Sequence, residues 1–465
     1  MPSQLPSDPP RCGWPKAALL VGLLIAVSWG SSPRADEAAR YDLDALVEVA
    51  LEREAGYRAV VAQREEVLGG VDEAAADAWP QIDLTSGWGR SRNPSLLNSP
   101  DFDDILEQFP DFEPGEQELW NLAFELEQTI YSGGKVQAAL DLAKLAVDIQ
   151  EASLGTRRLE LAAEVSDAYF ALLDAQASLR TLEAQEEARQ SALDVVEARY
   201  EIGEATQLER LQARAALAEL APTAATAEGR RLIAESRLQR LLGLDEPPQL
   251  IEPERHSMSE PPTLEALYRS ALERRPELAE LAKRSEALDR QKTIIEAEAR
   301  PQLELRGAYG RQARLPEDLS DSLFEDWRID LAFSWNLFDG GRRRGQVRQI
   351  EAQRDQVEWR LVELERRVRD ELRTASAEMS SSCARYQAAE ISSEAAREAA
   401  RVAAESFGQG VALQADLLDA NERATRQGLL LDQAFYACRQ AAIRLKIRAG
   451  LMPAQAFGAA SAEEN

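Results

Sequence analysis

The chain contains two copies of one sequence pattern. Residues 43 to 90 recur at a constant offset of 221, so that Ala78-Trp79-Pro80-Gln81-Ile82 returns as Ala299-Arg300-Pro301-Gln302-Leu303. Further along, Trp120 matches Trp327 and Gly133-Gly134 matches Gly340-Gly341 at an offset of 207. The difference between 221 and 207 assigns 14 extra residues to the first copy, between Arg90 and Trp120. Such a duplication is typical of a repeated architectural unit and not of a catalytic pocket.

Composition excludes several classes of function. The 465 residues carry a formal net charge of −27 at pH 7, which is unsuited to nucleic acid because phosphates require a basic surface. The single histidine, His256, lies in a Pro-rich stretch without a Cys or carboxylate cluster around it. The sequence offers no nucleophile–base pair, no metal-ligand spacing and no phosphate-binding glycine loop. We therefore expect no catalytic residues, no metal and no cofactor.

The N-terminus has the pattern of a secretory signal peptide. Arg11 and Lys16 precede an apolar run from Ala17 to Trp29, and small polar residues follow. We assign residues 1–35 to this peptide, and cleavage after Gly30 or after Ala35 remains open. No other apolar stretch has the length of a spanning helix. The sequence thus predicts an exported protein that, if it enters a membrane, does so by β-strands.

Two very long helices are predicted. From Gly134 to Gly203 there is no proline, and apolar residues recur at the 3-4 spacing of a coiled coil. About 70 residues at a rise of about 1.5 Å give a helix on the order of 100 Å long. The chain should turn back near Gly203 into a second helix with a kink at Pro222. The second copy repeats the pattern and turns near Gly410, so each half predicts one long antiparallel helical hairpin.

Four other segments alternate with the period of a β-strand. They cover residues of about 80–90, 119–131, 301–311 and 326–338. One face is apolar and the other is polar or charged, which suits a transmembrane barrel strand but also a half-buried soluble strand. The barrel interpretation is favoured because five of the eight Trp, which are enriched at membrane interfaces, lie in or beside these segments: Trp79, Trp88, Trp120, Trp327 and Trp335. Four strands cannot close a barrel, so chains must assemble until the sheet closes.

These observations define the predicted domains. The fold class is an α+β membrane protein with a tandem structural repeat, in which each half has two strands and one long helical hairpin. The predicted segments are repeat 1 (41–244), a Pro-rich linker (245–262), repeat 2 (263–451) and a C-terminal tail (452–465).

The order and duplication of several junctions resemble the TolC family of outer-membrane efflux channels. The helix–strand junctions are Trp79-Pro80-Gln81-Ile82 and Arg300-Pro301-Gln302-Leu303, and the other matching segments are Leu337-Phe338-Asp339-Gly340-Gly341 and Ser406-Phe407-Gly408-Gln409-Gly410. The resemblance covers about residues 41 to 451. It implies a homotrimer in outer-membrane lipid, with a twelve-strand β-barrel continued by an α-helical tunnel through the periplasm. It also implies docking to a periplasmic adaptor (membrane fusion protein) and an inner-membrane transporter, for efflux or type I secretion.

The resemblance also indicates candidate site residues. In this family, acidic residues on the returning helix of the second repeat narrow the periplasmic aperture, and Asp416 and Asp419 occupy the matching positions. Glu209 and Gln212 occupy the corresponding positions of the first repeat. The hairpin tips contain Tyr200, Gly203, Phe407 and Gly410. Phe407 and Ala412 stand where some members have a Tyr and an Arg that hold the closed tips together, so a closed state here must be held differently.

A different class of protein also has helical hairpins. A periplasmic coiled-coil scaffold or adaptor without its own pore is the alternative. Four alternating ten-residue strands interleaved with two hairpins do not suit it.

Cys383 and Cys438 are the only cysteines after the predicted signal peptide. They lie on opposite arms of the second hairpin, 27 and 28 residues from Gly410, and an exported protein resides in an oxidising compartment. A disulfide and two free buried thiols are both compatible with this placement.

Overall fold

The computed structural model describes residues 40–91, 117–255 and 262–455. The predicted signal peptide, His256, most of the first strand-to-strand loop and residues 456–465 lie outside the described residues. The described residues belong to one compact unit.

The two halves have the same order of elements. Repeat 1 contains β1 (Arg40–Tyr41), α1 (Leu43–Arg53), α2 (Ala55–Ala76), β2 (Gln81–Ser91), β3 (Gln117–Tyr131), α3 (Lys135–Glu201), α4 (Gln207–Ala218) and α5 (Leu220–Leu242). The linker contains β4 (Gln249–Leu250). Repeat 2 contains α6 (Leu264–Arg274), α7 (Pro276–Ala297), β5 (Gln302–Ala313), β6 (Glu325–Ser334), α8 (Arg342–Gly408) and α9 (Gln414–Arg448), with two short 3₁₀ helices, Pro316–Ser320 and Ser322–Phe324, between β5 and β6. Each half thus has two strands followed by a long helical hairpin, as predicted.

The long helices match in length and in the residues that bound them. Both α3 and α8 have 67 residues, which corresponds to about 100 Å. Four pairs of glycines have positive φ at an offset of 207: Gly133 and Gly340, Gly134 and Gly341, Gly203 and Gly410, Gly243 and Gly450. Only glycine adopts this backbone conformation without strain. The repeat in the sequence is therefore a repeat of backbone geometry.

The returning arm differs between the halves because of one proline. In repeat 1 it is interrupted at Glu219, between α4 and α5, whereas in repeat 2 α9 is continuous over 35 residues. Pro222 has no N–H for the carbonyl of Ala218, and its ring clashes with that carbonyl in a regular helix. The helix is thus interrupted next to the position where the kink is predicted.

The four longer strands form one antiparallel sheet in the order β2-β3-β5-β6. Within repeat 1, Ile82 lies opposite Leu126; within repeat 2, the equivalent Leu303 lies opposite Phe333. The two β-hairpins therefore have the same register. The middle ladder, β3 with β5, joins the repeats.

Strand β6 is shorter than predicted. It ends at Ser334, whereas alternation in the sequence continues to about residue 338. The ladder between β5 and β6 ends with Gln302 opposite Ser334, because Pro301 precedes β5. The equivalent end of β3 continues to Tyr131 since it pairs with Leu303 of β5 on its other side. The last residues of the predicted strand lack such a second neighbour among the residues that the structure describes.

The hydrophobic core lies among the helices. One buried cluster joins α1, α3, α5 and α9 and includes Leu46, Leu172, Leu241 and Phe435. A second joins α6, α8 and α9 around Leu267, Leu372 and Leu445. Among the described helices, none has both the length and the apolar character needed to cross a membrane.

The linker packs against this core. Its strand β4 pairs in parallel with β1, and the Tyr169 hydroxyl donates to the carbonyl of Ile251. Farther along, Arg255 pairs with the buried Asp432 at 2.8 Å. The Pro-rich segment is thus fixed to α3 and α9 by hydrogen bonds that its composition did not predict.

Candidate functional site at the sheet and the helical tips

The sheet has one apolar and one charged face. Alternation along the paired strands places a set of large apolar side chains on one face, and they remain exposed in the chain: Ile82, Leu84, Trp88, Phe124, Trp327, Ile329, Leu331 and Phe333. The other face has mostly acidic groups: Asp83, Glu125, Glu127, Glu304, Asp330, with Arg306 and Arg328. Arg306 pairs with Glu304 at 2.5 Å and with Glu127 at 3.7 Å. An apolar medium suits the first face and water suits the second.

The ladder between the repeats requires a glycine. A Cβ at Gly310 would lie 2.3 Å from the carbonyl oxygen of Leu122 and 2.5 Å from the Cα of Ala123. Since real Cβ atoms do not approach backbone so closely, β3 can reach β5 only because residue 310 has no side chain.

Equivalent hydrogen bonds hold the junctions between strands and helices. The Nε1 of Trp335 donates to the carbonyl of Ala299 at 2.9 Å, and the Nε2 of Gln128 donates to the equivalent carbonyl of Ala78 at 3.2 Å. Where the repeats meet, Arg300 Nη1 donates to the carbonyl of Gly133 at 2.7 Å. These bonds fix the sheet relative to the helices that precede and follow its strands.

Polar side chains just before the long helices bond to backbone amides at the start of each helix. The Oγ of Ser132 accepts from the Val136 amide at 3.3 Å. Asp339 accepts from the amides of Gly341 and Arg343 at 2.9 and 3.1 Å. Each cap satisfies N–H groups that have no partner within a helix.

The four predicted aperture residues lie at the start of the two returning helices. Glu209 accepts hydrogen bonds from the Thr206 amide at 2.6 Å and from the Thr206 hydroxyl at 2.8 Å. These two bonds lower the pKa of the Glu209 carboxyl. Asp416 accepts from the Leu413 amide at 3.3 Å, while Asp419 is exposed and pairs with Arg423 at 2.8 Å. Gln212 is exposed. Two of these residues, Glu209 and Asp416, thus bond to the amides of the N-cap residues of their helices. The aperture role of all four stays a prediction.

An arginine of the first hairpin holds the tip of the second. Arg199 Nη2 donates to the carbonyls of Phe407 and Gly408, both at 3.2 Å, and its guanidinium lies 4.8 Å from the centre of the Phe407 ring. Phe407 is buried in a small tip cluster with Val196 and Leu417. We call these contacts of Arg199 with Phe407 and Gly408 the tip clasp. Since it uses a ring face and backbone carbonyls, it requires neither the Tyr hydroxyl nor the Arg that are absent at positions 407 and 412.

Sequence reasoning missed two buried polar residues that join helices near the tips. Gln414 is buried, and its Nε2 donates to the carbonyl of Glu209 at 2.8 Å, linking the two returning helices. Arg189, which interrupts the apolar seam of α3, is also buried and donates to the carbonyl of Ala216. On a helix with many charged and polar residues, residue type alone does not distinguish a buried Gln or Arg from a solvated one. The available signal for Arg189 is its position on the apolar seam.

Large apolar side chains surround the tips in addition to the predicted glycines. Gly203 and Gly410 turn the chain with φ of 78° and 74°. Ile202, Val411 and Leu413 beside them are 70%, 80% and 72% exposed. A chain of this acidity therefore presents an apolar surface at both hairpin tips.

The structure has a disulfide between Cys383 and Cys438, with the two Cα atoms 4.7 Å apart. Cys438 is buried, and Cys383 packs against the cluster around Leu372 and Leu445. The bond lies about 40 Å from the tip, given a rise of about 1.5 Å over the residues between Cys383 and Gly410.

Comparison with known proteins agrees with this arrangement. The model of the family "Outer membrane efflux protein" matches residues 46–244 and 267–450, which correspond to the two repeats. Two curated relatives come from Pseudomonas aeruginosa. The alkaline protease secretion protein AprF is 25% identical over 300 residues, or 63% of this chain and 62% of that protein. The outer membrane protein OprJ is 23% identical over 323 residues, or 68% of this chain and 64% of that protein.

The chain thus spans less than two thirds of the length of these two relatives. Among solved structures, the outer membrane channel CmeC of Campylobacter jejuni superposes with a TM-score of 0.74 at 16% identity, covering 89% of this chain and 87% of that one. The fold expected from the sequence is therefore confirmed, and so is the resemblance: the chain belongs to the outer membrane efflux protein family.

Proposed function

We propose that this protein is the outer-membrane exit duct of an export system, in which substrates pass through a homotrimer without catalysis. The observation that supports it most directly is the sheet, which is apolar on one exposed face, charged on the other, and followed directly by helices of 67 residues. Three such sheets would supply twelve strands for a barrel in outer-membrane lipid. Three sets of hairpins would then form the α-helical tunnel in the periplasm.

The tips supply the proposed contact with other components. Exposed Ile202, Val411 and Leu413 give each chain an apolar surface where the helices turn. We infer that a periplasmic adaptor and an inner-membrane transporter dock at this end. The named relatives include a secretion protein and an outer membrane protein, so efflux and type I secretion both remain within the proposal. A pull-down that identifies the inner-membrane partner separates them.

Nothing in the comparisons supports the alternative of a periplasmic scaffold or adaptor. Cell fractionation tests it directly. We expect the protein in the outer-membrane fraction and, after detergent extraction, as a trimer that forms conducting channels in planar bilayers. A stable monomer that needs no detergent would refute the proposal.

The aperture is tested in the same bilayers. Rings of Asp416 and Asp419 on the three-fold axis would concentrate negative potential and favour cations. Replacing both with Ala should raise conductance and reduce cation preference. Arg423→Ala provides the matched control, since removing the partner of Asp419 should increase cation preference instead. Unchanged selectivity in both variants would exclude these carboxylates from the constriction.

A further inference from the structure

The ladder between the two repeats, β3 with β5, has an equivalent that one chain cannot complete. Adding 207 to the numbers of β3 gives those of β6, and subtracting 221 from the numbers of β5 gives those of β2. Strands β6 and β2 are the two edges of the four-stranded sheet. The equivalent of the β3–β5 ladder would therefore join β6 of one chain to β2 of another.

Two glycines show that a neighbour is missing at β2. Gly310 of β5 is crowded by the backbone of β3, as described above. Its equivalent in β2 is Gly89, and within the described part of the chain no heavy atom lies within 4 Å of a Cβ placed there. One chain alone gives no steric reason for a glycine at position 89. A strand equivalent to β3 would give one, with Ile329 and Asp330 in the places of Leu122 and Ala123.

The junction with the long helix shows the same asymmetry. A Cβ at Gly133 would lie 2.7 Å from the Cβ of Arg300, whereas at Gly340, the equivalent of Gly133, the described residues leave open space within 4 Å. The equivalent of Arg300 is Trp79, whose side chain is 71% exposed. Trp79 of a neighbouring chain would fill the space beside Gly340 as Arg300 fills the space beside Gly133.

The premature end of β6 is a third, independent observation. The residues after Ser334 do not continue as strand, although the equivalent end of β3 does so by pairing with Leu303. The equivalent of Leu303 is Ile82. A neighbouring β2 would thus supply the missing partner, and Phe338, which is 87% exposed, would lie opposite Ile82.

We propose that β6 of one copy pairs antiparallel with β2 of the next in a fixed register, and that Gly340 receives Trp79 of that next copy. The register follows from the β3–β5 ladder, in which Phe124 lies opposite Tyr309 and Leu126 opposite Gly307. It places Leu331 opposite Trp88, Phe333 opposite Ser86, and Ser334 opposite Thr85. The inference rests on the proposed assembly and specifies which atoms form its seam.

This register is consistent with the faces of the strands. Leu331 and Trp88 both belong to the apolar face, and Ser334 and Thr85 both belong to the charged face. A slip of one residue would place apolar side chains of β6 beside polar ones of β2. Slips of two residues preserve the faces, so the experiment must exclude them.

Paired cysteines in full-length protein, oxidised in the outer membrane, test the register. The two expected pairs are Ser86→Cys with Phe333→Cys, and Thr85→Cys with Ser334→Cys. Adjacent pairs of an antiparallel ladder alternate between wide and narrow spacing, so at least one lies within reach of a disulfide. The controls shifted by two residues are Thr85→Cys with Ala332→Cys and Thr85→Cys with Asn336→Cys. Single-cysteine variants report background.

We expect reducible dimers and trimers on non-reducing gels from an expected pair, and little or none from the shifted and single variants. Preferential cross-linking of a shifted pair, or none in protein that forms conducting trimers, would overturn the register and leave the proposed function intact. A monomer that does not conduct would overturn both.

A substitution at Gly89 gives a second measurement. Gly89→Val fits the single chain, so circular dichroism should show retained strand content while the trimer is lost in sedimentation. Gly310→Val should disrupt the sheet of the chain itself. If the Gly89→Val trimer equals the wild type in stability, the proposed seam is wrong.

Discussion

Removing the guanidinium of the tip clasp should loosen the second hairpin tip without unfolding the protein. In the Arg199→Ala variant, the carbonyls of Phe407 and Gly408 lose the guanidinium donor, and the Phe407 ring loses a cation on its face. The Phe407 carbonyl keeps the Gly410 amide as a donor. The core clusters around Leu172 and Leu372 lie elsewhere on the helices and should keep their packing. The expected effect is therefore a local opening of the turn.

The size of the effect follows from these contacts. A hydrogen bond from a charged donor contributes about 1.5–3 kcal/mol, and a half-exposed position reduces this value. A cation over an aromatic ring adds about 0.5–1 kcal/mol at exposed sites. Together we expect a loss of about 2 kcal/mol. Because each 1.4 kcal/mol is about tenfold, exchange of the affected amides should accelerate by about 10- to 30-fold.

Hydrogen exchange of the purified protein measures this change. The reporting amides are those of Gly410 and Val411, which donate to the carbonyls of Phe407 and Ser406 at 3.0 and 2.9 Å. Arg423→Ala is the control, since its exposed pair with Asp419 contributes about 0.3–0.5 kcal/mol at a helix surface. Equal exchange rates in the Arg199→Ala variant and the wild type would refute a stabilising role of the clasp.

Three further predictions concern stability. Burial, and then the charge of Asp432, raise the pKa of Asp174, so between the ordinary and the raised pKa the folded state binds more protons than the unfolded state. The free energy of unfolding therefore falls as pH rises through this range. Asp174→Asn should remove this fall and raise the unfolding midpoint at pH 7, and an unchanged pH profile of stability would contradict the prediction. Replacing Cys383 and Cys438 by Ser should lower stability by up to about 4 kcal/mol in a chain-entropy model for a sequence separation of 55, measured by denaturant unfolding with and without reductant; insensitivity of the wild type to reductant would indicate free thiols. Leu445→Ala in the second core cluster should cost about 2–5 kcal/mol, against little change for the exposed Ile391→Ala; equal midpoints would contradict the assigned burial.

Much of the fold could be predicted because its determinants are local. Proline after a helix, paired glycines after a strand, and a period of two or 3.6 residues are visible in the sequence, and they locate the helices and strands to within a few residues. The predicted end of β6 is wrong because the length of an edge strand depends on which strand lies beside it. Alternation at Trp335 and Leu337 is the same whether a partner is present or absent.

The candidate site was less predictable for a related reason. The sequence indicates Asp416 and Glu209 by position alone, and position does not reveal that their carboxylates bond to the Leu413 and Thr206 amides. Arg199 was missed because its partners are backbone carbonyls of a residue stretch more than 200 positions away. Contacts between the repeats depend on how the hairpins lie side by side, which no periodicity within one helix encodes.

The equal lengths of α3 and α8 limit how this protein can change. The clasp joins the ends of two helices that both run 67 residues from the sheet, so it forms only if both ends lie at the same height. Inserting one heptad into α8 alone would raise its tip by about 10 Å and separate Phe407 from Arg199. To keep the clasp, insertions or deletions must therefore occur in both hairpins together. The two halves of the duplicated chain can change length only by equal amounts.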